Sequence, residues 1–171
     1  MNSNAKALGH PIHPMLVVFP LGLLATAVGL DLVYVFTENP VLAQVAFWNI
    51  GIGIVAGLVA AAFGAMDWWA IPKGTRAKTV GLWHGAGNVV VVLLFSVTWL
   101  MRRDTPVHQP VLASLVLELG AGVLSMVTGW LGGELVDRLG VGVDEGANLN
   151  APSSLRTPHL PSRTPATGAR G

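Results

Sequence analysis

The chain has 171 residues, of which 52% are hydrophobic and only 11% charged, against about 25% charged residues in ordinary soluble domains, and this places it in the membrane class. A formal net charge of +1 generates no field that would attract nucleic acid. Cysteine is absent, which excludes disulfides, thiolate metal sites, iron–sulfur ligation and covalent c-type haem attachment, so a metal or cofactor must be held by His, Asp, Glu or Asn.

The first element is a short polar lead-in carrying His10-Pro11-Ile12-His13-Pro14. Proline biases the residue before it away from helix, so His10 and His13 are expected on an extended segment with Pro14 in the first helical turn. The apolar run that follows is longer than a signal-peptide core and lacks a small-x-small cleavage site, so it reads as a retained span. In all, four stretches reach the roughly 20 apolar residues a crossing needs: 15–36, 41–69, 80–101 and 111–139. The second and fourth are long enough to tilt. Their connections, 37–40, 70–79 and 102–110, are short and force neighbouring helices antiparallel. The expected fold is therefore all-α, an integral membrane up-and-down four-helix bundle over residues 1–143.

Trp48, Trp68, Trp69, Trp83 and Trp99 fall near span ends, where an indole keeps its body in lipid and its N–H among headgroups. Gly53, Gly57, Ala60, Ala61 and Gly64 form a small-residue stripe on the second span, and Gly22, Ala25 and Gly29 another on the first; such stripes let backbones approach closely. After Val143 the composition turns to Pro, Ser, Thr and Gly, with Pro152, Pro158, Pro161 and Pro165 blocking helix. Residues 144–171 are expected to be a disordered tail. His159 belongs to it and to no site.

Lys6, Lys73, Arg76, Lys78 and Arg138 lie on the face that carries the N-terminus, against Arg102 and Arg103 on the other. The imbalance predicts both termini in the cytoplasm. On that same face the up-and-down order gathers His10 and His13 before the first span, Asp67 closing the second, His84 and Asn88 opening the third, and Glu134 closing the fourth. His84 lies inside its span, one turn before Asn88, and ionisable residues in spans mostly face the bundle interior. His13 and Asp31 are eighteen residues apart, as are Asn49 and Asp67, which is about five turns and roughly 27 Å of rise along one helix face. Glu118 sits at the level of Asp31 and Asn49, so these three form a second, outer polar cluster. Glu118 and Glu134, sixteen residues apart, face nearly opposite sides unless the stretch 129–133 distorts the helix.

Gly9-His10-Pro11-Ile12-His13-Pro14-Met15-Leu16-Val17, Phe19-Pro20-Leu21-Gly22, Asp31-Leu32, Gly64-Ala65-Met66-Asp67, His84 with Asn88, and Gly129-Trp130-Leu131-Gly132-Gly133-Glu134-Leu135-Val136 resemble the bacterial membrane family named domain of unknown function 2231, over about residues 8–143. The resemblance implies a four-span domain of the bacterial inner membrane without an established activity, similar to modules joined to Rieske or cytochrome c domains. It further implies an anchor for electron transfer, with membrane redox proteins as partners and a haem of its own. Many members carry an aromatic at the position of Asp137 and a histidine at that of Leu139; this chain has neither, and no redox domain follows its fourth span.

Three functions compete. The first is a module binding haem b axially through His13 and His84, with His10 as substitute for His13 and with Asp67 and Asn88 fixing the imidazoles. In a variant of it, His10, His13, Asp67 and His84 hold a transition metal without porphyrin. The second is a small transporter or proton relay running between the two polar clusters, against which stands an almost purely apolar middle. The third is a membrane scaffold whose polar clusters are structural.

Overall fold

The computed structural model describes residue 3 and residues 5–155; of the predicted tail, residues 156–171, with His159, lie outside the described residues. The chain opens with a small antiparallel hairpin of β1 (Lys6–Ala7) and β2 (His10–Pro11). Its two-residue turn places Leu8 at φ 51° and Gly9 at φ 86°, the left-handed pair a tight hairpin requires. His13 then falls in a helical turn, α1 (Ile12–Leu16), not on extended chain. Pro14 sits in that same first turn, where its missing N–H costs nothing.

A break at Val17 separates α1 from α2 (Val18–Thr37). Pro20 explains it: it has no N–H for the Leu16 carbonyl, and its ring crowds that carbonyl. α2 ends on Glu38 in the left-handed conformation, whose N–H reaches the Tyr34 carbonyl at 2.8 Å. Asn39 immediately caps α3 (Pro40–Ala70), its Oδ1 accepting the Val41 N–H at 3.0 Å with Pro40 at the first helical position. Asn39→Ala should therefore cost about 1 kcal/mol, read as a shift in the denaturation midpoint in detergent; an unchanged midpoint would show the cap to be idle.

Thr75 caps α4 (Arg76–Arg102) by accepting the Lys78 N–H at 3.2 Å. Lys78 Nζ turns back to the Trp68 carbonyl at 2.7 Å and lies 3.8 Å from the Trp68 ring, a cation placed at the negative end of α3. A 3-10 turn (Pro106–His108) leads to α5 (Leu112–Gly133), which continues into a π-helical turn (Glu134–Arg138). Four helical segments, Ile12–Thr37, Pro40–Ala70, Arg76–Arg102 and Pro106–Arg138, are long and apolar enough to cross a membrane. α2 packs on α3, α3 on α4, α4 on α5 and α5 on α2. That closed ring is the four-helix membrane bundle.

Leu24, Ala27, Ala46, Ile50, Val91, Phe95 and Ala121 form the buried apolar centre. The outer faces carry exposed Phe19, Leu58, Leu93, Val123 and many similar side chains, a surface suited to lipid and not to water. Polar side chains concentrate above and below the apolar centre. Of the tail, residues 144–155 run as turns, with Asp144 and Asn148 accepting the N–H groups of Gly146 and Asn150, and Ser154 Oγ donating to the Leu8 carbonyl at 3.1 Å.

Candidate functional site: two facing imidazoles and a buried ion cluster

His13 and His84 come together from different helices. Their ring centroids lie 6.3 Å apart with planes at 86°. His13 Nδ1 is 2.9 Å from the Ala60 carbonyl on α3, and His84 Nδ1 is 2.8 Å from the Thr128 carbonyl on α5. A carbonyl only accepts, so in both rings Nδ1 carries a proton, and Asn88 Nδ2 lies 3.4 Å from His84 Nε2. Both rings are thus anchored through their Nδ1 edge to a backbone carbonyl of a neighbouring helix.

In a regular helix the Ala60 and Thr128 carbonyls already accept the N–H four residues on. In both cases that residue is glycine, Gly64 and Gly132. A Cβ at Gly64 would lie 2.9 Å from His13 Cε1, and one at Gly132 would lie 3.1 Å from His84 Cε1. Each imidazole can reach its carbonyl only because the next turn lacks a side chain.

These matched contacts expose an internal repeat. α1, α2 and α3 form one hairpin, α4 and α5 another. In each, a histidine on the first arm bonds a carbonyl on the second arm 47 or 44 residues later, four residues before a glycine. The repeat extends to the far end, since Asp31 follows His13 by eighteen residues and Arg102 follows His84 by eighteen. α2 and α4 run in the same direction, so in both hairpins the histidine lies at one end of the bundle and the charged residue at the other. The imidazole pair joins the two hairpins at one end, and Asp31 meets Arg102 between them at the other.

That second meeting is a buried ion cluster. Asp31, Arg102 and Glu118 are each 0% exposed. Arg102 Nη1 donates to Asp31 Oδ2 at 2.5 Å and Glu118 Oε1 at 3.0 Å, Nη2 to Asp31 Oδ1 at 2.9 Å and the Ala43 carbonyl at 3.1 Å, and Nε to the His108 carbonyl at 2.8 Å. The guanidinium has five N–H groups, and all five are engaged. The Asp31 contact is bidentate, the geometry in which Arg binds a carboxylate most strongly.

The remaining expected site residues are placed as follows. Asn88 Nδ2 donates to the His84 carbonyl at 2.8 Å and its Oδ1 accepts from Thr128 Oγ1 at 3.2 Å, so it ties α4 to α5 beside the ring. Asp67 accepts from Ser3 Oγ at 2.5 Å, and the structure gives it no bond to either imidazole. His10 is exposed on the hairpin, its Nδ1 3.3 Å from the Leu8 carbonyl, too far along β2 to replace His13. Among the described residues no group of three or more His, Cys, Asp or Glu is placed to hold a metal ion, so His10, His13, Asp67 and His84 do not assemble into a four-ligand set. Asn49 is half-buried and has no bond to Asp31 or Glu118 among those described; the place expected for it belongs to Arg102, because a neutral amide cannot balance buried carboxylates and a guanidinium can. Glu134 pairs with Arg76 at 2.6 Å, linking the start of α4 to the end of α5 at the π-helical turn.

The fold and its two polar ends define a class, a four-span membrane bundle of two helix hairpins with an imidazole pair between them at one end and a buried ion cluster at the other. Residues 9–145 match the family of predicted membrane proteins DUF2231, and the chain belongs to that family. No curated protein and no solved structure matches it.

Proposed function

We propose that the bundle is a b-type haem-binding module serving electron transfer in the bacterial inner membrane, with His13 and His84 as the axial ligands. The observation that carries this reading is the geometry of the pair. A metal held about 2 Å from one nitrogen of each of two imidazoles would set ring centroids about 6 Å apart, and the His13 and His84 centroids lie 6.3 Å apart. Two imidazoles alone fill too few positions for a free zinc or copper ion, which takes about four ligands; a porphyrin supplies the others. His13 and His84 would hold the group, and with both imidazoles committed to it the chemistry it would supply is electron transfer. Asn88, Thr128, Gly64 and Gly132 hold the rings, and membrane redox proteins are the partners this reading implies.

Burial of Arg102 also bears on orientation. A guanidinium neutralised by Asp31 and Glu118 is not a loop charge, which leaves Arg103 alone against Lys6, Lys73, Arg76, Lys78 and Arg138. The positive-inside rule then supports a cytoplasmic location for the imidazole end and for both chain termini, with the 103–111 loop on the other side.

The test is the visible spectrum of the detergent-purified full chain after reconstitution with haem. A Soret band with the split bands of a six-coordinate reduced haem is expected, lost in His13→Ala and in His84→Ala and unchanged in His10→Ala. The perpendicular ring planes further predict a strongly anisotropic low-spin paramagnetic resonance signal in the oxidised protein. Protein that takes up no haem, or that keeps the spectrum in His84→Ala, would overturn the assignment.

A further inference from the structure

The ion cluster at the opposite end of the bundle contains one atom its neighbours leave unanswered. Glu118 Oε2 is buried and has no hydrogen-bond partner among the described residues. The same holds for Trp99 Nε1, but that atom faces Gly51 and carries no charge. Oε2 cannot be served by Arg102, whose five N–H groups are all spent on Asp31, Glu118 Oε1, Ala43 and His108. A carboxylate oxygen left bare in an apolar interior is costly, whereas the carbonyl oxygen of a neutral acid tolerates the same place far better.

Charge counting gives the same answer. The cluster holds one guanidinium and two carboxyls, so with both ionised it would bear one net negative charge at a fully buried position. Among the described residues no other cation is paired with it. α3 contributes only the Ala43 carbonyl, and its sole ionisable residue, Asp67, lies at the far end. α2 adds Tyr34, whose hydroxyl is occupied by Gln109 at 2.8 Å. The loop adds His108, whose Nδ1 lies 3.2 Å from the Arg102 carbonyl and therefore donates to it, while its ring stacks on Phe47 at 4.0 Å. Arg103 faces outward over Trp99. The Asp31 and Glu118 carboxyls meet on the same Arg102 nitrogen, Nη1, so a proton on Glu118 removes both the net charge and the bare carboxylate.

We propose that Glu118 is a proton-binding site: its carboxyl takes a proton within the Arg102–Asp31 ion cluster and exchanges it with water on the side of the 103–111 loop. The step is a simple protonation, carboxylate plus a proton from hydronium giving the acid, with no other bond made or broken. The loop is built as a closure over that site. Its His108 carbonyl sits on Arg102 Nε, and the reach is obtained by holding Val107 and His108 at φ 48° and 55°, a left-handed conformation that is strained for a β-branched residue and is seen where a function over-determines the backbone.

Infrared difference spectroscopy of the full chain in lipid nanodiscs tests this without any cofactor. A carboxylic-acid C=O band is expected that shifts on transfer to D2O, disappears in Glu118→Gln and stays in Glu134→Gln. Labelling the glutamate carboxyls with ¹³C in the otherwise unaltered protein should move the same band, and labelling aspartate should not, which keeps the assignment open to refutation if Glu118→Gln does not assemble. Absence of an acid band, or a band that follows the aspartate label, would place the proton elsewhere or nowhere and overturn the proposal; a glutamate band that never responds to D2O would overturn the exchange with water.

Discussion

Arg102→Met is expected to destabilise the bundle by about 3–5 kcal/mol, the range found when one partner of a buried ion pair is removed. The arithmetic follows from what the guanidinium does. It engages Asp31 through two nitrogens, Glu118 through one, and two backbone carbonyls, all in a fully buried place. Methionine fills the volume but leaves two carboxyls facing each other and the Ala43 and His108 carbonyls without their donor. Adding Asp31→Leu and Glu118→Leu to the same chain should restore most of the loss, because an apolar replacement of a whole buried ionic group is often neutral or better. Reversible unfolding in mixed micelles reads both numbers. If the single substitution cost under about 1 kcal/mol, as exposed ion pairs do, the cluster would not be the buried network described.

Gly64→Ala carries the second large effect. Its Cβ would sit 2.9 Å from His13 Cε1 and 3.0 Å from Nδ1, so either α1 moves off α3 or the imidazole swings away from the Ala60 carbonyl. Overpacking of this kind costs about 1–3 kcal/mol, and under the haem reading proposed above, loss of the bond that orients His13 should weaken cofactor affinity about 10–100-fold. Gly132→Ala meets His84 at 3.1 Å and should act in the same direction, more weakly. Gly22→Ala and Gly29→Ala meet nothing within 4 Å and serve as controls. Haem retention in Gly64→Ala equal to that of the controls would mean that the glycine is not a seat for the ring.

Much of this architecture can be read from the chain because a bilayer permits few solutions. Apolar run length marks the spans, short connections fix neighbours as antiparallel, and the eighteen-residue interval puts His13 and Asp31 at opposite ends of one face. The same interval separates His84 from Arg102, and that was the available signal for the cluster's cation. It is easily missed, because Arg102 is adjacent to Arg103 and the pair looks like a loop charge. What distinguishes them is a helical phase difference of one residue, which sends Arg102 to the axis and Arg103 outward over Trp99. The glycine seats are hidden for another reason. Gly64 belongs to a stripe of small residues that packing alone explains and Gly132 to a glycine-rich helix end, and only the position of an imidazole from a distant segment picks out the two that matter. The partnership of Asp67 with Ser3 depends on how the N-terminal hairpin folds back, which no periodicity encodes.

The opposite charges at the equivalent positions of the two hairpins have a consequence for assembly. Two first hairpins laid together would oppose Asp31 to Asp31 in lipid, whereas the second hairpin carries Arg102 with Glu118 as a counter-charge of its own. Only the second hairpin can bring Asp31 a cation. In a crowded membrane that difference in sign tells the first hairpin which half is its mate.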